Sequence, residues 1–281
     1  MAQIVGVHGI GWAFSSRSQM TETWLAALRT GLQNDRHPQA DTVSFEAAFY
    51  GSHYNLGSGG KSAGEPLYRP ADLQPGFELD LLEGLADAVK PDSGADPQEP
   101  GAKGVLVRSP QLLLNILLGV PFFGSLGASG IIRLIKQVHR YFSDDDLRAA
   151  VRGEVAAAVK SDTRVIVAHS LGSVAAYETL WEHPGRRIDT LVTIGSPLGI
   201  KAVRKRLDVT GDGHPGLPPS VRRWVNVAAE QDFIALEKSL KRRYGGAVED
   251  FVVRNPMLEC HDSTWYLQNL RTVRAVGAAL G

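Results

Sequence analysis

Short runs of β-branched and other apolar residues alternate along the chain with longer stretches in which apolar positions recur every three or four residues. The first pattern belongs to buried strands and the second to helices with one face turned inward. Strands are predicted at 3–8, 42–49, 164–169, 188–194, 222–228 and 248–253, and helices at 18–33, 144–160, 171–183, 233–243 and 263–280. Such alternation predicts an α/β protein, with a mostly parallel central sheet of about six strands and helices on both faces. Gly31, closing T-E-T-W-L-A-A-L-R-T-G, reads as the C-terminal cap of the first helix.

Two stretches break the alternation. Residues 51–110 are rich in Gly, Pro, Ser and Asp, interrupted only by F-E-L-D-L-L-E-G-L-A-D-A-V. A loop of that length inside one domain is either a mobile rim over a site or a surface insertion. Between Arg108 and Arg133 there is then no charged residue. Pro121, the repeated glycines, Gln111 and Asn115 disfavour a single straight transmembrane helix there. A buried pair of cap helices is the preferred reading. A lid making peripheral membrane contact through 112–135 is the second. The chain thus reads as a single domain, 1–281, with a helical cap or lid insertion at 51–142.

At 281 residues with 43% hydrophobic side chains, the chain is long enough for a large core. Thirty basic and thirty acidic residues balance, which removes the electrostatic case for a nucleic-acid partner. Cys260 is the single cysteine, so disulfides and thiolate metal clusters cannot shape the fold. With a core strand at Ile4–Val7 and no leader pattern before it, a cytoplasmic location is expected.

The strand R-V-I-V-A-H runs straight into Ser170, and a helix follows at once. Ala168-His169-Ser170-Leu171-Gly172 is a variant of the G-x-S-x-G turn that exposes a serine nucleophile between strand and helix. A serine hydroxyl needs a base and an oriented acid. In this strand–turn–helix order the acid follows a later strand and the base follows the last one. Asp232 lies in the turn after W-V-N-V-A-A, with Glu230 as the fallback, and His261 lies in the loop after V-E-D-F-V-V. The backbone N–H groups of Leu171, at a helix start, and of Ile10, in the loop V-H-G-I-G, are the expected oxyanion donors.

Other residues gather round this core of candidates. His8, Gly9, Gly11, His169, Ser196 and Pro197 are the candidates for lining the substrate site, although a histidine placed like His8 commonly braces its turn. Asp208, Asp212 and His214 lie close together in sequence but match no zinc or calcium spacing, so no metal is expected. Cys260 reads as a small buried side chain.

The pairing of V-H-G-I-G with A-H-S-x-G resembles the α/β-hydrolases, and in particular small bacterial lipases without a large cap. W-L-A-A-L-R-T-G-L, T-I-G-S-P-L-G-I, W-V-N-V-A-A-E-Q-D and C-H-D-S-T-W-Y-L are similar to a group of actinobacterial α/β-hydrolases of mostly unassigned substrate. The likeness covers nearly the whole chain outside the insertion, and it implies Asp232 as the acid and His261 as the base. Ala168 replaces the more frequent glycine, and Ser173 stands where many lipases carry a second one.

Together these features predict a cofactor-free serine hydrolase acting on a small-molecule ester or lipid-like substrate, with an apolar acyl group favoured. An amide or thioester hydrolase could use the same residues. A catalytically silent binding or signalling module is the reading from outside the enzymes.

Overall fold

The computed structural model of the chain describes residues 3–12, 15–55, 67–89, 109–209 and 216–281. Six strands, β1 (Ile4–Val7), β2 (Phe45–Ala48), β3 (Val165–His169), β4 (Ile188–Ile194), β5 (Val221–Ala229) and β6 (Val248–Val253), form one sheet in the order β2-β1-β3-β4-β5-β6. Every neighbouring pair is parallel. The side chains explain why. Along β3, Val165 and Val167 enter one apolar cluster while Ile166 and Ala168 enter the other, so the strand is buried on both faces.

The helices are α1 (Arg17–Asn34), α2 (Gly51–Asn55), α3 (Phe77–Val89), α4 (Pro110–Leu118), α5 (Pro121–Ser143), α6 (Asp145–Ala158), α7 (Leu171–Glu182), α8 (Lys201–Arg204), α9 (Lys241–Tyr244), α10 (Ser263–Gln268) and α11 (Leu270–Leu280). α1, α10 and α11 cover one face of the sheet, with Trp24 and Leu28 of α1 fully buried. α3 to α8 cover the other face. The charge-free stretch belongs to that second layer: Leu113, Leu114, Leu117, Phe123, Ile131 and Ile132 are all buried, and Leu112 and Leu126 are exposed. Among the described residues no helix is long and apolar enough to cross a membrane. Pro121 starts α5 anew after α4, and Gly127, at φ 68°, kinks it.

Three expectations need correction. Gly31 does not end α1, which runs on to Asn34; it lies where α1 meets α10 and α11, and a Cβ there would press on Val273 and Gln268. The helix expected at 233–243 is reduced to α9. The expected helix 263–280 is two helices, because Asn269 leaves the helical conformation and its side chain accepts from the Arg271 N–H to cap α11. Of the insertion, residues 56–66 and 90–108 lie outside the described residues.

After β1 the chain moves outward to β2, then returns to place β3 on the other side of β1. Loops leaving the carboxyl ends of β1 and β3 therefore diverge, and open parallel sheets bind ligands in the crevice this creates. The register pairs Val7 with Ala168, which brings the loop starting at His8 alongside Ser170.

Candidate active site

Ser170 follows β3 directly and stands at φ 53°, ψ −131°. It and Arg36 are the non-glycine residues with positive φ among those described. A conformation so disfavoured for an L-residue is held by its surroundings. The Ser170 N–H donates to the Ile194 carbonyl at 3.1 Å, and the Ser173 hydroxyl donates to the Ser170 carbonyl at 2.6 Å. Ser196 supports Ser173 through an Oγ–Oγ contact of 2.6 Å, so it sits behind the turn rather than in the cleft.

The structure brings the three distant candidates together. The Ser170 hydroxyl lies 3.0 Å from His261 Nε2, and His261 Nδ1 lies 2.8 Å from Asp232 Oδ2. With Nδ1–H donating to the carboxylate, Nε2 is left to accept the serine proton. Asp232 is fully buried. Burial alone would raise its carboxyl, yet the His261 ring, the Tyr266 hydroxyl and the Lys238 ammonium outweigh that and hold it at about 2. Its Oδ2 also accepts from the Tyr266 hydroxyl at 2.6 Å, and its Oδ1 accepts from the Ile234 and Ala235 amides at 2.9 and 3.3 Å. Glu230, the fallback acid, pairs instead with Arg254 at the surface, 2.9 Å away.

Glycines make the close approaches that this convergence requires. A Cβ on Gly9 would lie 2.7 Å from the Ser170 Cβ, so only glycine lets the first loop touch the serine. Gly172 packs against the backbone carbonyls of Val7 and His8, which ties the start of α7 to the end of β1. Gly195, at φ 56°, lies where a Cβ would come 2.9 Å from Asp232 Oδ2 and 3.1 Å from His261 Nδ1.

The two neighbouring histidines differ in surroundings from His261. His8 is buried, accepts from the Tyr50 N–H through Nε2 at 3.0 Å and donates from Nδ1 to the Gly9 carbonyl at 2.6 Å. Burial lowers its pKa to about 4, so it braces the loop as a neutral ring and does not line the cleft. His169 donates from Nε2 to the His261 carbonyl at 2.9 Å. Burial first, then the neighbouring His261, lowers its pKa to about 3.

A cleft of about 790 Å³ opens over Ser170 and His261. Gly9, Ile10, Gly11 and His169 line it, as do Trp12 and Phe122, whose place there the sequence did not signal. Phe122 meets the His261 ring edge-on, with centroids 6.1 Å apart. Pro197 and Leu171 line a second, smaller cavity that also touches Ser170. Tyr266 and Gly195 were likewise missed; Tyr266 lies five residues beyond His261 in a segment whose pattern announced only a helix. Cys260 is buried, and burial raises its thiol to about 11. Asp208 pairs with Arg152 at 2.8 Å, while Asp212 and His214 lie outside the described residues.

Compared with protein-family models, with curated proteins and with solved structures, the chain matches none significantly.

Proposed function

We propose that the chain is a serine hydrolase of the α/β-hydrolase type that cleaves a carboxylic ester. The observation that carries this reading is the unbroken run of hydrogen bonds from Ser170 through His261 to the buried Asp232 carboxylate. Support comes from the strained serine turn at the crevice between β1 and β3, and from the Ser–Asp–His order along the chain.

In the proposed reaction Ser170 Oγ bonds to the ester carbonyl carbon as its proton passes to His261 Nε2. Negative charge gathers on the carbonyl oxygen, and the N–H groups of Ile10 and Leu171 are the donors assigned to it. Leu171 is the first residue of α7, so its amide has no partner within the helix and carries the positive end of the helix dipole. The intermediate collapses by breaking the carbon–oxygen bond to the alcohol, which leaves with the proton from Nε2. Water then attacks the acyl-enzyme, gives a proton to Nε2 and releases the acid, and the proton returns to Ser170. Asp232 stays ionised throughout and steadies the imidazolium.

The expected result is turnover of p-nitrophenyl acetate or butyrate with saturation, lost by about three orders of magnitude or more in Ser170→Ala and in His261→Gln. Folded wild-type protein that turns over no p-nitrophenyl ester from acetate to dodecanoate, or variants as active as wild type, would count against the reading.

A further inference from the structure

Two cavities meet at Ser170, and they differ in volume and in the polarity of their walls. The open cleft of about 790 Å³ includes His261 in its wall. The other is a narrower, apolar slot of about 30 Å³ that does not. Leu81 and Leu85 of α3, Ile135 and Val138 of α5, and Ile200 and Val203 at α8 wall the slot. Among the described residues that line it, Ser170 alone has a polar side chain.

The chemistry tells the two apart. The leaving alcohol must take its proton from His261 Nε2, so it departs on the side where His261 stands, which is the cleft. The acyl group stays bonded to Ser170 Oγ and needs room on the other side. Given the serine esterase reading above, on which this inference rests, we infer that the slot is the acyl site and that it selects a short aliphatic acyl group of about two or three carbons.

The size follows from the volume. An apolar cavity of ~150 Å³ stays dry and holds a benzene ring, so a slot near 30 Å³ takes only one or two carbons beyond the carbonyl. Each methylene that fits is worth about fourfold in kcat/KM from apolar burial. Each one beyond that must push α3 away from α5, and packed helices resist such expansion. Leu81, Leu85, Ile135 and Val203 are all nearly or fully buried, so the slot's α3, α5 and α8 walls are packed on the far side from the cleft, while the partly buried Leu134 stands between the two cavities.

The cleft makes the complementary demand. Its volume suits a drug-sized molecule, and Ser15, Thr23, Gln137 and Thr264 share its wall with Trp12 and Phe122. The substrate class is therefore an ester in which a short acyl group is carried by a larger, partly polar alcohol, the reverse of a long-chain lipid ester.

The test is kcat/KM for p-nitrophenyl acetate, butyrate, hexanoate, octanoate and dodecanoate, beside fluorophosphonate labelling of the same preparation. The expected profile peaks between acetate and butyrate and falls at least tenfold by octanoate. Val203→Ala and Leu81→Ala, which enlarge the slot, should move the peak toward hexanoate or beyond. A wild-type peak at octanoate or longer with Ser170 labelled overturns the acyl slot and leaves the esterase reading standing. So does an unshifted profile in both variants when each melts cooperatively. If neither variant folds, the wild-type profile decides alone. Folded protein that is not labelled and turns over none of these esters removes the esterase reading, and the slot assignment falls with it.

Discussion

Asp232 and Glu230 stand two residues apart in one turn and meet opposite fates. The Asp232 carboxylate accepts from His261, Tyr266 and two backbone amides, whereas Glu230 faces solvent beside Arg254. Asp232→Asn must present an amide N–H₂ to at least one of those donors and would favour the wrong His261 tautomer. A fall in kcat of about 10⁴ is expected. Glu230→Gln removes an exposed ion pair worth about 0–1 kcal/mol and should leave kcat within about twofold. Steady-state kinetics on the two purified variants check both, and equal losses would remove Asp232 from the role given to it.

At the scale of elements, the close packing of α7 on β1 makes a sharper demand than any propensity. Gly172→Ala would drive a methyl group into the Val7 and His8 carbonyls, which are backbone and cannot swing away. A loss of about 1–3 kcal/mol is expected, with a fall in kcat/KM because the displaced loop carries Ile10. Gly153, exposed in the middle of α6 with open space where its Cβ would go, has the opposite sign. Gly153→Ala should stabilise by about 0.5–1 kcal/mol. Thermal melts of the pair test the contrast.

The same scale separates what was legible in the sequence from what was not. The inner strands β1 and β3 were, because burial on both faces leaves uninterrupted apolar runs that no loop tolerates. Residues 233–243 were not, despite a helical spacing of Phe233, Leu236 and Leu240. There the Asp232 carboxylate captures the Ile234 and Ala235 amides, and Asp250 captures those of Leu240 and Lys241. Such side-chain bonds compete with the helical ladder, and Asp250 lies on β6, which the local pattern cannot see. Ser170, Asp232 and His261 were legible as candidates because the order of strands dictates where loops emerge. Gly195, Tyr266 and the two cavities depend on which surfaces meet in space.

For the whole molecule, two buried neutral imidazoles set the response to acid. His8 and His169 titrate near 4 and 3 when folded, against ~6.5 when unfolded. The unfolded chain therefore binds more protons below pH 6.5. Stability is full above that value and is lost as pH falls toward the folded values. By pH 5 the pair costs roughly 4 kcal/mol, which corresponds to a fall in Tm on the order of 10 °C from its value at pH 7. Asp232 does not contribute in this window. Its carboxyl is lowered to about 2, so its stabilisation persists above the unfolded value of ~3.9 and fades only below it. A Tm unchanged between pH 7 and pH 5 would contradict the burial of the two rings.

The central claim is that Ser170 is a nucleophile activated by His261. Reaction with a fluorophosphonate, followed by peptide mass mapping, tests it most directly. The account predicts one adduct per chain on the peptide containing Ser170, absent in Ser170→Ala and formed at least a hundredfold more slowly in His261→Gln. Folded protein that stays unlabelled, or that carries its adduct on another residue, would contradict it.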